Sequence, residues 1–524
     1  MLTVDDAANQ LRADYDATPY TSNAFPESAP GHLAAVAHLF GLDVPEVASA
    51  RVLEIGCAGG GNLIPFAATH PQSRVMGIDL SQVQIDQGRA RVQALGLNNI
   101  ELIADDIARM DLAALGQFDF VIAHGVYSWV PPDVQEALLS AFRTLLAPEG
   151  VAYMSYNVYP GWKTNEVVRD AMLLASGSSR TPDEKVRNAR GMVDFLETVS
   201  PKDGVLASVL AEFRANSAGY DDSYLLHDEL EAFNAPCYFY EMLGRGGAHG
   251  LAFLAESHPE TMFPANFGPK VAEYVQEKCG GVQVLVEQYL DFAINRMYRA
   301  SLLVHAERAP QIRYSPDRSR YSRLHVAARV PPVDGRTQMD MSRQEYQLTD
   351  GSTLFTNDPG IKAALDALTD RWPWTLSRQE LVDAVQPRLV AAGFDARENL
   401  AEHISGLMEV LILQGQARFR LHPVLPELAS APFRVDESAR RMAELTRTQR
   451  DASTFNVWHE TQILSPVDRH LLPLLDGTRD RDALVEELVA IDRENPIEFE
   501  GETLAEHVDA MPQRLAEMKL LRVV

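Results

Sequence analysis

The run RVLEIGCAGGGN, from Arg51 to Asn62, constrains this chain more than any other stretch of it. Val52, Leu53 and Ile55 make a short apolar strand; Gly56, Gly59, Gly60 and Gly61 then let the backbone turn sharply and approach a ligand with no Cβ atoms between. A helix is expected from about Asn62, and a nucleotide-like ligand is the natural occupant of the turn.

The pattern around this run alternates. RVLEI, RVMGID ending at Asp79, IELIA, FDFVIA and GVAYMSY read as strands with helical segments between them, which predicts a parallel sheet of α/β class with helices on both faces. Ser81 and Gln84 form an S-x-x-Q capping box just after Asp79. Pro131, Pro132 and Asp133 open another helix, with Ala137, Leu138, Phe142, Leu145 and Leu146 at helical spacing.

A strand, glycine turn and helix followed by an acid at the end of the next strand suit either a nicotinamide dinucleotide or S-adenosylmethionine. The dinucleotide fingerprint G-x-G-x-x-G fails here: from Gly56 its second glycine is Ala58, and from Gly59 its last is Ile64. An adenosylmethionine site needs a carboxylate for the ribose diol, and Asp79 offers two acceptor oxygens. Asp106 is positioned for the adenine amine, with Ile107 supplying a backbone amide and an apolar ring contact. Glu54 could orient the turn or the ligand's ammonium. Tyr20, Gly56, Cys57, Asn62, Leu80, Gln84 and His124 complete the expected cofactor set, His124 as a hydrogen-bonding group rather than a general base.

VLEIGCAGGGNLIPFA, GIDLSQVQI, ADDI, AHGVYSWVP and SYNVYPGW together resemble bacterial class I methyltransferases related to rickettsial protein-lysine methyltransferases. YDATPY precedes this core. YLLHDELEAFNAPCYFYEML and EQYLDFAINRMYRASLLVH resemble the methyltransferase regulatory domain that accompanies the family, and LLDGTRDRDALVEEL resembles its winged-helix tail. The resemblance implies a Rossmann-like core, S-adenosylmethionine as cofactor, and a protein lysine as methyl acceptor. A small-molecule N- or O-methyltransferase, or a cofactor-binding scaffold without turnover, are the alternatives. The family commonly carries Glu where this chain has Asp228.

The acceptor end is expected in the loop HGVYSWVPP, where Tyr127 and Trp129 could wall a channel beside the methyl group. Tyr156, Asn157, Tyr159 and Trp162 after the fifth strand could complete it. Beyond them, Tyr224, His227 and Asp228 lie in YLLHDE, and His227 is the titratable candidate for touching substrate.

The domains expected are an N-terminal arm at 1–30, a cofactor-binding core at 31–162 and 301–335, a helical insertion at 163–300, and a winged-helix-like region at 345–524. LLVHAE and LHVAARV are expected as the last strands of the core sheet. The last region holds two possible repeats, 359–421 and 465–524, because LAEH recurs at Leu400 and Leu504 while RQELVDAV and RDALVEEL share nearly the same offset.

A formal charge of −26 and the absence of Lys/Arg-rich segments oppose nucleic acid as a partner. Three scattered cysteines, Cys57, Cys237 and Cys279, suit a reducing cytoplasm and predict neither a disulfide framework nor a metal site. With no h-region at the start and no run of 18 apolar residues, neither signal peptide nor membrane span is expected.

Overall fold

The computed structural model describes residues 16, 22–179, 181–217, 225–231, 233–395, 397–425, 431–499, 501 and 503–521, without the side chains of 216, 227 and 228. Its centre is a seven-stranded sheet of order β3-β2-β1-β4-β5-β7-β6. The strands are β1 (Arg51–Ile55), β2 (Arg74–Asp79), β3 (Ile100–Ala104), β4 (Phe118–Ala123), β5 (Leu146–Asn157), β6 (Leu251–Glu256) and β7 (Tyr298–His305). The first five pair in parallel, and β7 runs antiparallel to both β5 and β6. The strand order reverses direction at β1 and β4, so their carboxyl ends flank the crevice where open α/β sheets bind ligands.

Two strand expectations are corrected. LHVAARV contributes β8 (His325–Ala327), which leaves the core sheet and, across the separate hairpin of β9 (Gln344–Gln347) and β10 (Thr353–Thr356), pairs antiparallel with β11 (Leu376–Ser377) and β12 (Arg418–Arg420). Two 3-10 segments, Ala306–Gln311 and Arg318–Arg323, carry the chain away from β7 before it. The second correction is β6, which lies inside the segment read as helical: LAFLAE is a six-residue apolar run whose buried face closes the sheet edge.

The rest of that segment folds as helices Trp162–Ser176, Pro182–Val199 and Val205–Ser217, which enclose a small core of Val168, Met172, Val186, Val193 and Leu210. Helix Gln283–Ala293 is held to the sheet edge by buried charge. Arg299 of β7 donates to Glu256 at 2.6 Å, to Asp291 at 2.7 Å and to Glu287 at 3.1 Å, and none of the four is exposed.

Toward the C-terminus, helices Pro359–Arg371, Arg378–Ala391 and Leu400–Leu413 pack with the β8, β11 and β12 sheet, and their core is continuous with that of the cofactor-binding sheet. The capping box of Ser377 and Glu380 forms, each side chain accepting from the other's backbone N–H. A second unit has a separate core. It begins before residue 465, with helix Glu437–Thr446 and the hairpin of β13 (Ser453–Phe455) and β14 (Thr461–Ile463), and continues through helices Asp468–Leu474, Arg481–Glu494 and Leu504–Glu517. Helices start at Arg378 and Arg481, and at Leu400 and Leu504, where the recurring sequences begin. Most of the expected closing strand LLRVV lies outside the described residues. Among those described, no helix is long and apolar enough to cross a membrane.

Candidate active site

A cavity of about 690 Å³ opens at the carboxyl ends of β1 to β5, within the size range of small-molecule sites. Its floor is the glycine turn. Gly56 adopts φ +77°, and a Cβ there would stand 2.4 Å from Val126, so a side chain is excluded by conformation and by space. Ala58 is left-handed at φ +48°, which aims its N–H at Asp79 Oδ2, 2.7 Å away. Ser81 N–H donates to Asp79 Oδ1 at 2.9 Å. Each carboxylate oxygen keeps a lone pair for a ligand diol. Burial raises the Asp79 pKa, and the backbone N–H groups work against that rise.

Glu54, at the end of β1, tests whether the site suits an amino-acid tail. Its Oε1 accepts from Asn62 Nδ2 at 2.9 Å, whereas its Oε2 is buried and has no partner. Desolvation pushes its pKa up to about 8, against the Asn62 hydrogen bond. A buried carboxyl with one oxygen unanswered, lining a cavity beside the Asp79 carboxylate, has the chemistry to receive an ammonium group.

Gln84 caps differently from expectation. Ser81 Oγ accepts from Gln84 N–H at 3.2 Å, but the Gln84 side chain does not return to Ser81; it lines the cavity with Oε1 buried and unpartnered. Gly56, Cys57, Asn62, Leu80, Asp106, Ile107 and His124 line the cavity too. Asp106 is half-buried and faces Arg109 at 3.3 Å. His124 stacks on Phe25 with ring centroids 3.8 Å apart, shares a hydrogen bond with Tyr153 OH at 3.0 Å, and has its pKa lowered to about 4 by burial. The neutral imidazole packs on Phe25 and hydrogen-bonds Tyr153 there. Tyr20 lies outside the described residues.

Ser22, Asn23 and Phe25, in the segment expected as an N-terminal arm, also line the cavity; Ser22 and Asn23 carried no signal in the sequence. Gly61 N–H donates to Ser22 Oγ at 2.7 Å, so this strap lies directly on the glycine turn.

At the far end, Trp129 and Trp162 meet edge to face at 6.2 Å, and Asn157, Asn165, Phe213, Glu229 and Tyr298 complete the wall. Asn165 Nδ2 donates to both oxygens of Glu229, at 3.2 and 3.1 Å, and burial raises the Glu229 pKa. Trp162 Nε1 is buried without a partner. The loop carrying Trp129 is tied to β5: Gly125 N–H donates to Ser155 Oγ at 2.7 Å, and Asn157 N–H to Ser128 Oγ at 2.8 Å.

Two expected catalytic aromatics do not reach the cavity. Tyr127 is fully buried and accepts from Arg245 at 3.2 Å; in the 3-10 turn Tyr127–Trp129 successive side chains diverge by about 120°, so Trp129 faces the cavity and Tyr127 the core. Tyr156 bonds Ser301 Oγ at 3.1 Å on the opposite face of β5 from Asn157, as strand alternation requires. Tyr159 instead donates to Glu166 at 2.6 Å and is absent from the lining. Tyr224 and the side chains of His227 and Asp228 lie outside the described residues. Glu229, two positions on, is the acid that faces the cavity, and its spacing in YLLHDE carried no signal that separated it from its neighbours. Among the described residues no group of three or more His, Cys, Asp or Glu is placed to hold a metal ion.

Known families match the chain in three places: a methyltransferase domain at residues 52–150, a predicted methyltransferase regulatory domain at 221–305, and the PKMT C-terminal winged helix domain at 438–518. An uncharacterised protein of Rickettsia prowazekii, RP789, is 32% identical over 487 residues, which span 91% of this chain and 85% of the relative. A second from the same organism, RP028, is 35% identical over 44% of this chain and 93% of its own length. PKMT2 from Rickettsia typhi, solved in complex with AdoHcy, superposes with a TM-score of 0.82 at 26% identity, covering 96% of this chain and 99% of that one. The chain belongs to the family of RP789, and it is a class I methyltransferase whose cofactor is S-adenosylmethionine.

Proposed function

We propose that this methyltransferase acts in the cytoplasm on lysine side chains of a protein. The reading rests on one observation above the others: the cavity continues from the glycine turn into a recess walled by Trp129, Trp162 and Phe213, with the buried acid Glu229 among them. Bound S-adenosylmethionine supplies a methyl group on a sulfonium, and transfer to an amine is an in-line displacement that depends chiefly on alignment.

Asp79 would hold the ribose hydroxyls, Glu54 the ammonium, and Asp106 with Ile107 the adenine. A lysine ammonium has to lose its proton first, at a cost of about 4.6 kcal/mol at pH 7 from a reference pKa near 10.4. Removal from water in the recess disfavours the charged form, and Glu229, raised by burial and oriented by Asn165, accepts the proton. Trp129 and Trp162 also stabilise a methylated ammonium product by cation-π attraction. The similarity to PKMT2 of Rickettsia typhi and to the PKMT winged helix domain supports a protein acceptor. In the same reading residues 22–29 strap the cofactor site, the helices after β5 cap its acceptor end, and the C-terminal region recognises the protein.

Incubation of the enzyme with methyl-labelled cofactor and a native lysate tests the acceptor class. Label in protein is expected; label confined to small solutes would establish the small-molecule alternative, and no transfer at all the scaffold alternative.

A further inference from the structure

A residue nearly four hundred positions away in the chain is hydrogen-bonded to the cavity lining. The turn between β13 and β14 reaches across from the C-terminal unit and places His459 Nε2 2.9 Å from Asn62 Oδ1. Asn62 is thereby saturated: Oδ1 accepts from His459 and from Phe25 N–H at 2.9 Å, while Nδ2 donates to Ser28 Oγ at 3.0 Å and to Glu54 Oε1 at 2.9 Å. A backbone N–H can only donate, so Phe25 fixes which end of the amide is oxygen. His459 must then donate, which assigns its proton to Nε2.

The turn that delivers His459 is built for one position. His459 sits at φ +63°, and Asn456 Oδ1 accepts from the backbone of Trp458 at 2.9 Å and of Glu460 at 3.2 Å. Trp458 is buried, donates to Pro373 O at 3.0 Å, and lies 5.1 Å beneath the Arg420 guanidinium. Thr461 Oγ1 accepts from Ala24 N–H at 2.9 Å, so the same hairpin also holds the strap. Burial and Arg420 lower the His459 pKa to about 3, which keeps the ring neutral.

We propose that His459 is a positioning residue for the methionine end of the cofactor: through Asn62 it holds Glu54 Oε1, leaving Oε2 turned toward the ligand's ammonium. The C-terminal unit is then part of the cofactor site as well as a recognition element. The inference rests on Glu54 facing that ammonium, and the test separates the two.

Calorimetry on the full chain would compare S-adenosylhomocysteine with 5′-methylthioadenosine, which keeps the adenosine and the sulfur but has no amino-acid end. His459→Ala is expected to weaken S-adenosylhomocysteine about five- to tenfold, the loss of one buried hydrogen bond, and to leave methylthioadenosine within about twofold. His459→Gln, which restores a donor near Nε2, should recover most of the loss. Glu54→Gln should weaken the same ligand selectively. If Glu54→Gln changes nothing, the ammonium reading of Glu54 fails. If it acts while His459→Ala does not, the relay fails. Equal weakening of both ligands by His459→Ala, or no recovery with His459→Gln, would reduce the residue to a packing role and overturn the proposal.

Discussion

Glu54 carries the sharpest residue-scale prediction because its Oε2 is buried without a partner. With a pKa of about 8, raised by burial, it is protonated at pH 6 and largely ionised only above 8 in the free protein. A bound ammonium favours the carboxylate, so binding near pH 7 must release a proton, and affinity for S-adenosylhomocysteine must rise from pH 6 to 8. Calorimetry in buffers of different ionisation enthalpy measures that release, and Glu54→Gln should abolish it. The raised pKa has a second consequence: the unfolded chain ionises this group near pH 4.5 and the folded one near 8, so its contribution to stability falls as pH rises through that window.

Asp79 makes a different prediction. Asp79→Ala removes the carboxylate proposed to accept from the ribose hydroxyls, frees the Ala58 and Ser81 N–H groups, and should cost about 1.5–3 kcal/mol of cofactor affinity. Unchanged affinity would remove it from the site. At the acceptor end, Glu229→Gln should lower turnover at pH 7 by about a hundredfold with cofactor affinity retained. Partial recovery is expected above pH 9, where the lysine loses its proton unaided. A loss independent of pH would mean that Glu229 only supports Asn165.

Among the elements, the strap and the glycine turn are a matched pair. A Cβ on Gly61 would stand 2.1 Å from Ser22 O, and moving the strap is easier than moving a sheet turn. Gly61→Ala should therefore weaken cofactor binding by about 1–3 kcal/mol, the usual range for overpacking, with little change in melting temperature; a large loss of stability with intact affinity would contradict this.

The turn was legible in the sequence because glycine spacing and strand-end acids are local signals. Trp129 and Trp162 were legible as a class but not singly, since Tyr127 and Tyr156 look equivalent until a 3-10 turn and a strand face separate them. For β6 and β8 the local pattern was apolar enough for a strand, but partner choice is a tertiary fact: β8 finds Phe419 and Leu376 rather than β7.

At the scale of the whole molecule, distant segments converge on one cavity. The described strap, the sheet ends and the helices after β5 meet there, the β13–β14 turn reaches the lining residue Asn62 through His459, and no periodicity in the sequence announces that these two are neighbours. The charge cluster around Arg299 fastens helix Gln283–Ala293 to the edge of the sheet. Arg299→Met should leave three buried carboxyl groups without their shared cation and destabilise the fold by about 3–5 kcal/mol in denaturant titration. A change below about 1 kcal/mol would mean that those carboxyls are neutral in the fold.

The central claim, a methyltransferase that uses S-adenosylmethionine to modify protein lysines, is tested most directly by acid hydrolysis of lysate protein labelled by the enzyme with methyl-labelled cofactor. Label is expected in methyllysine, reduced at limiting cofactor by Asp79→Ala. Label absent from protein, or carried there only on other side chains, would contradict it.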